Sequence, residues 1–196
     1  MPETIVALSL GIGLAAACGF RVFVPMFVIG LAAKTNLIPI SDGFHWIEST
    51  PAIVAFGIAT TLEIGAYYFP WLDNLLDLFA MPAAVAAGIL VLAACMVDMP
   101  PLWKWCLAII AGGGTAGTVK TGLSGIRLGS TTTSGGLMNP VFATIEWMLS
   151  VSLALLAVFL PLLAALVTIA LLAVLIRVAI RIYTRLPRDK AGRNSR

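Results

Sequence analysis

The chain has 196 residues, of which 60% are hydrophobic and 11% charged, and its mean hydropathy is +1.03. Soluble domains carry about 25% charged residues, so this composition excludes an ordinary soluble protein and predicts an all-α polytopic transmembrane helix bundle of about six spans. The formal charge of +3 does not indicate a nucleic-acid partner, because seven basic residues and one acid lie between Arg177 and Arg196.

The first predicted element is interrupted. Residues 5–33 are apolar, but Gly19, Arg21 and Pro25 lie within them. Charged residues and helix breakers at membrane depth occur where the chain is buried in protein or lines a cavity. The pattern therefore predicts either one discontinuous span or a helix followed by a re-entrant segment. A loop is expected at 34–50.

Two further spans are predicted in the first half. Residues 51–69 form the second span and contain Glu63, and residues 81–97 form the third, which is entered near Pro82. Between them, the segment 71–80 is too short to cross a bilayer and carries its acids on one side. It predicts an interfacial helix.

The second half begins with a fourth predicted span at 102–118, anchored at the interface by Trp103 and Trp105. Residues 118–139 are rich in Gly, Thr and Ser and predict either a cavity-lining loop or an ordinary connection. The apolar run at 141–176 is about 54 Å long if helical, too long for one crossing, so a fifth and a sixth span are expected with Pro161 between them.

The chain is predicted to be one transmembrane domain, 1–186, followed by a basic cytoplasmic tail, 187–196. The basic tail places the C-terminus in the cytoplasm, and six crossings place the N-terminus there as well. The half-repeats, about 1–97 and 102–183, each contain a Gly-interrupted segment, a Glu-bearing span and a plain span. Three spans per half predict two inverted repeats, a pattern that points to a midplane site in transporters.

Two acids inside predicted spans are the leading candidate site residues. Glu63 follows Ala-Thr-Thr-Leu and Glu146 follows the similar run Ala-Thr-Ile. A carboxylate in hydrocarbon costs roughly 2.5–3.5 kcal/mol on insertion scales, so it normally faces a partner or a wet cavity. Both residues are predicted to bind a proton or a cation at a central polar site.

Three basic residues lie in the Gly-rich segments and are the candidate partners of these acids, namely Arg21, Lys120 and Arg127. Arg21 and one of the other two can neutralise the two glutamates. Two interpretations stay open. The charges form a functional ion or solute site, or they pair structurally and hold helices together.

Other polar residues extend the candidate site. Asp73, Asn74 and Asp77 offer oxygen ligands for a cation, or they form the polar face of the interfacial helix. Thr133 and Asn139 belong to the Gly-rich polar segment, where hydroxyl groups and freed carbonyls suit a cavity wall.

No enzyme chemistry is indicated. The run Gly112–Gly117 fits a nucleotide-binding glycine pattern by letter only, because it follows a membrane-type helix and Val119 stands where a phosphate loop needs Gly. His45 has no second metal ligand at a suitable spacing, and the three cysteines lack metal or redox spacing. We therefore expect no catalytic residues, no metal and no cofactor.

Three motifs, in order, resemble a known family. They are ACGFRVFVP at 17–25, PWLDNLLD at 70–77 after Glu63, and TSGGLMNP at 133–140 before Glu146. Together they resemble the bacterial membrane family catalogued as domain of unknown function 4126, over roughly residues 5–175. The resemblance implies an integral membrane protein of uncharacterised activity and implies nothing about its substrate. That family's pattern has an acid after the second glutamate, where this chain has Trp147.

The sequence thus predicts a small transporter or channel for an ion or small solute in the bacterial inner membrane. The alternative is a lipid-interacting or membrane-organising protein whose buried charges are structural. The expected partners are the lipid bilayer and an ion or small-molecule substrate, with the chain acting alone or as a homodimer and with no nucleic acid.

Overall fold

The computed structural model of the protein describes residues 2–66, 70–134 and 139–185. Every regular element in these ranges is helical, which confirms the predicted all-α bundle. In chain order they are α1 (Pro2–Phe20), α2 (Phe23–Lys34), a 3-10 turn (His45–Glu48), α3 (Thr50–Ala66), α4 (Pro70–Cys95), α5 (Pro101–Leu107), a π-helical segment (Ala108–Gly113), α6 (Gly114–Ser134), α7 (Asn139–Phe159) and α8 (Pro161–Arg185).

Helix α1 lies at the centre of the bundle and contacts α2, α4, α6, α7 and α8. Its second half is lined with small, fully buried residues such as Ala16 and Cys18, which let several helices approach closely. At Gly19 an added Cβ would lie 2.8 Å from the carbonyl oxygen of Ala116. This packing brings the end of α1 into the interior of the bundle.

The chain reverses direction between α1 and α2, which favours the re-entrant interpretation of residues 5–33. Glu63, near the end of α3, accepts hydrogen bonds at the start of α2, whereas Lys34, at the end of α2, donates to Thr50 at the start of α3. Helices α2 and α3 are therefore antiparallel. Beyond α2, the Ser41 backbone N–H donates to Ala94 O at 2.8 Å, close to the end of α4.

Helix α4 is antiparallel to α1, which fixes the direction of α2. Gly11 packs against Leu92, whereas Gly19, further along α1, packs beside Ala116, which also contacts Gly88. The end of α4 thus lies level with the first half of α1. Because the chain leaving α2 is bonded there, α1 and α2 form a helical hairpin with its tip at Arg21 and Val22.

Counting Pro101–Ser134 as one pass, the described helices run through the bundle seven times in alternating directions. Gly13 packs against Ala164 and Gly122 against Leu175, so α1 and α8 run parallel. The start of α1 and the end of α8 therefore lie at opposite ends of the bundle. This differs from the expected placement of both termini on one side, which followed from counting residues 5–33 as a single crossing.

The surface of the bundle suits lipid. By length and composition, three described helices can cross a membrane, at Glu3–Phe20, Val141–Phe159 and Pro161–Arg181. Shorter apolar helices cover Phe23–Lys34, Thr50–Ala66 and Phe79–Cys95. Helix α8 exposes large apolar side chains such as Leu162, Leu166 and Ile169, a continuous apolar face that marks a membrane-type protein.

Two predicted boundaries in the middle of the chain are wrong. No separate interfacial helix covers 71–80, because α4 runs unbroken from Pro70 to Cys95 with Pro82 inside it. The polar segment 118–139 is not irregular up to Ser134, because α6 continues to that residue. Residues 135–138 lie outside the described part. The expected break at Pro161 is observed, since α7 ends at Phe159 and α8 starts at Pro161.

The predicted loop at 34–50 closes the end of the bundle where α2 and α4 finish. Ile47 of its 3-10 turn is fully buried. The Lys104 ammonium donates to the Ser41 hydroxyl, and the Phe44 ring lies 6.1 Å from the Trp105 ring, measured between centroids. We call this the loop end of the bundle.

At the loop end, the protonation of the His45 side chain can be measured directly. The hydrogen bond from His45 to Glu48, at 2.8 Å, together with the charge of Asp42 raises the pKa of His45 above its ordinary value. Since the folded-state pKa of His45 is raised, the interaction of protonated His45 with Glu48 stabilises the loop. This stabilisation is complete below the unfolded-state pKa of His45 and is lost as the pH rises through its folded-state pKa.

We therefore expect Glu48→Gln to lower the pKa of His45. His45 is the single histidine of the chain, so an NMR titration in detergent micelles follows it without assignment. Glu3→Gln, on the surface of α1, is the matched control and should leave the pKa unchanged. An unchanged pKa in Glu48→Gln would contradict the described loop geometry.

Candidate functional site

The tip of the α1–α2 hairpin is fixed to α7 through Arg21. The Arg21 Nη2 donates to Ala143 O at 3.0 Å and lies 3.3 Å from Glu146 Oε2. One turn earlier on α1, the Ala17 carbonyl accepts a hydrogen bond from the Ser150 hydroxyl at 3.0 Å. The α7 residues are spaced by three and four positions and share one face of that helix. The end of α1 is therefore clamped to α7 at several points.

Helix α6 contributes a second arginine to the same carboxylate. Arg127 Nε donates to Glu146 Oε1 at 2.9 Å and its Nη2 donates to Oε2 at 2.6 Å. This is the two-bond geometry in which arginine–carboxylate pairs are strongest. Arg21, Arg127 and Glu146 are 2%, 8% and 3% exposed, so this ion cluster is almost wholly removed from solvent.

Glu63 lies on the other side of the tip and is bonded differently. Its Oε1 accepts the Val22 backbone N–H at 3.1 Å and its Oε2 accepts that of Phe23 at 3.3 Å. The first N–H groups of a helix have no partner inside the helix, and the positive end of the helix dipole favours an anion. Glu63 supplies from α3 the cap that α2 does not supply itself, since Val22 makes no side-chain cap bond.

Three consecutive residues thus bring both predicted glutamates to one place. The Arg21 side chain contacts Glu146, and the next two backbone N–H groups bind Glu63. We call the end of the bundle that holds Arg21, Glu63, Arg127 and Glu146 the charged end. It lies opposite the loop end.

The other predicted site residues lie on helices that reach the charged end. Lys120 is buried on α6, seven positions before Arg127. The backbone of α4 starts there with Asp73, Asn74 and Asp77, α6 ends there with Thr133, and α7 starts there with Asn139. The Lys120 side chain is described, whereas the side chains of the other five residues, at 73, 74, 77, 133 and 139, lie outside the described part of the chain.

Sequence reasoning missed how the basic residues divide between the acids. Arg21 and one of Lys120 or Arg127 were expected to neutralise the two glutamates, yet both Arg21 and Arg127 contact Glu146, and Glu63 accepts backbone N–H groups at the start of α2. It also missed Ser150 and the Ala143 carbonyl. The spacing 143, 146 and 150 was the available signal, because it places these residues on the face of α7 that carries Glu146.

Comparison with known proteins identifies the family alone. A family model described as Domain of unknown function (DUF4126) matches residues 8–181. No curated protein and no solved structure matches the chain.

Proposed function

Because the chain belongs to that family of unknown function, its activity has to be inferred from the site, and we propose that it is a small membrane transporter or channel for an ion or small solute. The observation that carries the proposal is the buried Arg21–Glu146–Arg127 cluster beside Glu63 at the tip of a helical hairpin. The conduction or binding site is the charged end.

The energetic cost of this cluster supports a functional role. Burying an ion pair is often no better for stability than packing apolar residues of similar volume, and ionisable groups in membrane helices usually mark substrate or proton pathways. Here Arg21, Arg127 and Glu146 are all buried at one level, beside a break in the helical backbone. Helix breaks with exposed N-termini form the solute sites of several transporter folds.

Charge placement supports an orientation. Seven basic residues lie in the sequence from Arg177 to Arg196, which begins on the last turns of α8 at the charged end, whereas the loop end carries Lys34 and Lys104. The positive-inside rule then puts the charged end and the C-terminus in the cytoplasm of a bacterial inner membrane, with the start of α1 outside.

The inverted-repeat hypothesis receives limited support from helix directions. Helices α2, α3 and α4 run opposite to α6, α7 and α8, as an inverted pair requires. Against it, Glu63 lies near the end of α3, whereas Glu146 lies near the start of α7. The two glutamates converge at the charged end without being positional equivalents.

One observation favours the alternative of a membrane-organising protein with structural charges. Both carboxylate oxygens of Glu146 are occupied by Arg127, at 2.9 and 2.6 Å, which is the geometry of a helix clamp. In this alternative the cluster joins α1, α6 and α7 and takes no part in the transport of a solute.

Flux into proteoliposomes tests the proposal. We expect protein-dependent flux of at least one probe among H⁺, Na⁺, K⁺, Cl⁻ and acetate, measured with fluorescent dyes and radiolabel. Arg21→Lys, which loses the planar guanidinium contacts, should lower that flux by roughly tenfold or more, the equivalent of about 1.4 kcal/mol.

Lys34→Gln at the loop end is the matched control, since it also alters one basic side chain. It should keep the wild-type flux. If folded wild-type protein moves none of the five probes above the level of empty liposomes, the transport proposal fails for these ions and the structural alternative is favoured.

A further inference from the structure

We propose that the contacts of Glu63 at the charged end open when Glu63 is protonated, whereas those of Glu146 stay closed. We call Glu63 the latch. This assignment deepens the proposed function and rests on it. When a proton from the aqueous phase neutralises the Glu63 carboxylate, the end of α3 and the start of α2 separate from the cluster. The separation opens a path for solute to Arg21.

The two carboxylates differ in how many groups hold them. Glu146 is buried and is contacted by two guanidinium groups, with its shortest contact at 2.6 Å. Glu63 is half-buried, and within the described residues it accepts hydrogen bonds from two backbone N–H groups, at 3.1 and 3.3 Å. Both sets of hydrogen bonds are charge-assisted, but those of Glu146 are shorter, include a bidentate arginine and are removed from solvent. Glu63 is therefore the acid that can release its partners.

Helix α3, which carries Glu63, lies at the edge of the bundle. Helix α3 packs on α2, the 3-10 turn and α4, and its other faces expose Val54, Ile58 and Leu62. At the loop end α3 is bonded through Lys34 and Thr50. At the charged end its hydrogen bonds within the described residues come from Glu63. Release of that side chain removes these hydrogen bonds between the charged end of α3 and α2 and leaves the bond at the loop end in place.

The hairpin tip provides a hinge between a fixed side and a movable side. Arg21 stays tied to α7 through Ala143 and Glu146, and Ala17 stays tied through Ser150. The next residue, Val22, starts the movable side. The helical hydrogen-bond ladder is already interrupted there, so a change of backbone angles at this position breaks few existing bonds.

Protonation acts directly on the latch. An ionised carboxylate accepts bonds from both N–H groups and complements the positive end of α2. A neutral carboxyl loses that charge and turns one oxygen into an O–H donor, which leaves the carbonyl oxygen as its main acceptor and weakens the hold on the two N–H groups. Among the described residues, the Cys18 thiol of α1 is an electrostatic neighbour of Glu63, and Arg21 directly precedes the two residues whose N–H groups Glu63 binds. Asp73 and Asp77 follow on α4, with side chains outside the described part.

Distance measurements by pulsed electron paramagnetic resonance test the latch. In a background with Cys18, Cys95 and Cys106 changed to Ala, spin labels are placed at Leu62→Cys on α3 and Met148→Cys on α7. Both native side chains are exposed, so the labels do not enter the core. The protein is reconstituted in nanodiscs and measured from about pH 8 to about pH 4, where glutamates in proteins usually titrate.

We expect the wild type to show one short distance at high pH, with under about 10% of molecules in a longer-distance state. At low pH that state should become the major one, longer by at least about 5 Å, one helical turn. Glu63→Gln should populate it at every pH. Glu63→Asp, which keeps the charge, should recover the pH dependence.

Two controls separate the latch from other titrating groups. A label pair at Val54→Cys and Phe159→Cys, at the loop end, should show no change with pH. Asp73→Asn with Asp77→Asn should keep the wild-type response. A distance that does not respond to pH in the wild type, or a wild-type distribution in folded Glu63→Gln, overturns the assignment.

Failure of the latch and failure of transport are distinguishable. The distance change requires no solute, so a latch that opens in a protein without flux rejects the proposed function and keeps the pH-dependent motion. If flux is observed but α3 does not move with pH, the proposed function is supported and the role of Glu63 as the latch is rejected.

Discussion

Replacing Glu146 with Gln is expected to lower the free energy of unfolding by about 3–5 kcal/mol, because it removes the buried carboxylate charge that two guanidinium groups contact. Arg21 and Arg127 are 2% and 8% exposed, so neither can recover hydration without movement of α1, α6 or α7. The side chain of Gln keeps the volume of Glu, and the loss is therefore electrostatic. Chemical unfolding in mild detergent measures it.

Glu3→Gln is the control, since it removes an equal charge from the exposed start of α1 and should cost about 0–1 kcal/mol. The double variant Glu146→Gln with Arg127→Met should be less destabilised than the sum of the single variants, because removing one arginine relieves part of the uncompensated charge. If Glu146→Gln unfolds at the same denaturant concentration as the wild type, the ion cluster contributes nothing to stability.

Replacing Gly88 with Val is expected to cost at least about 1–3 kcal/mol, the usual penalty of overpacking a helix contact. Even a single Cβ at position 88 would lie 2.7 Å from Gly112 O and 2.6 Å from Ala116 Cβ. Neither obstacle can rotate away, because one is a Cβ atom fixed to its backbone and the other is a backbone carbonyl. Helix α4 and the π-helical segment would have to separate, and thermal unfolding in detergent should show a lower midpoint.

Gly114→Val tests whether the effect comes from the contact. Gly114 is two residues from Gly112 and has open space around its Cβ position, so the substitution should be nearly neutral. If Gly88→Val and Gly114→Val have the same midpoint, the close approach of α4 to the π-helical segment does not limit stability.

Local features of the sequence predicted much of the architecture. Arg21 between Gly19 and Pro25 predicted the break in the first element, and Pro161 predicted the start of α8. Each depends on backbone chemistry that acts within a few residues.

Features that depend on distant partners could not be predicted. The direction of α2 after Val22 is decided by its contacts with α3 and with the end of α4. Likewise, nothing in the segment around Arg127 shows that it shares Glu146 with Arg21. Helix α4 continues through Pro82 because its neighbours hold it, whereas a local reading expects a boundary there.

For a transporter of the proposed kind, the depth of the hairpin tip makes the site sensitive to membrane voltage. Helix α2 has 12 residues, about 18 Å, against a hydrocarbon core of about 30 Å. Glu146 lies seven residues inside the start of α7, about 10 Å from that end. A proton that reaches Glu63 therefore crosses part of the electric field, which is worth about 2.3 kcal/mol per charge for a full 100 mV. Polarising the bilayer should bias the protein's conformations even without a gradient of any solute.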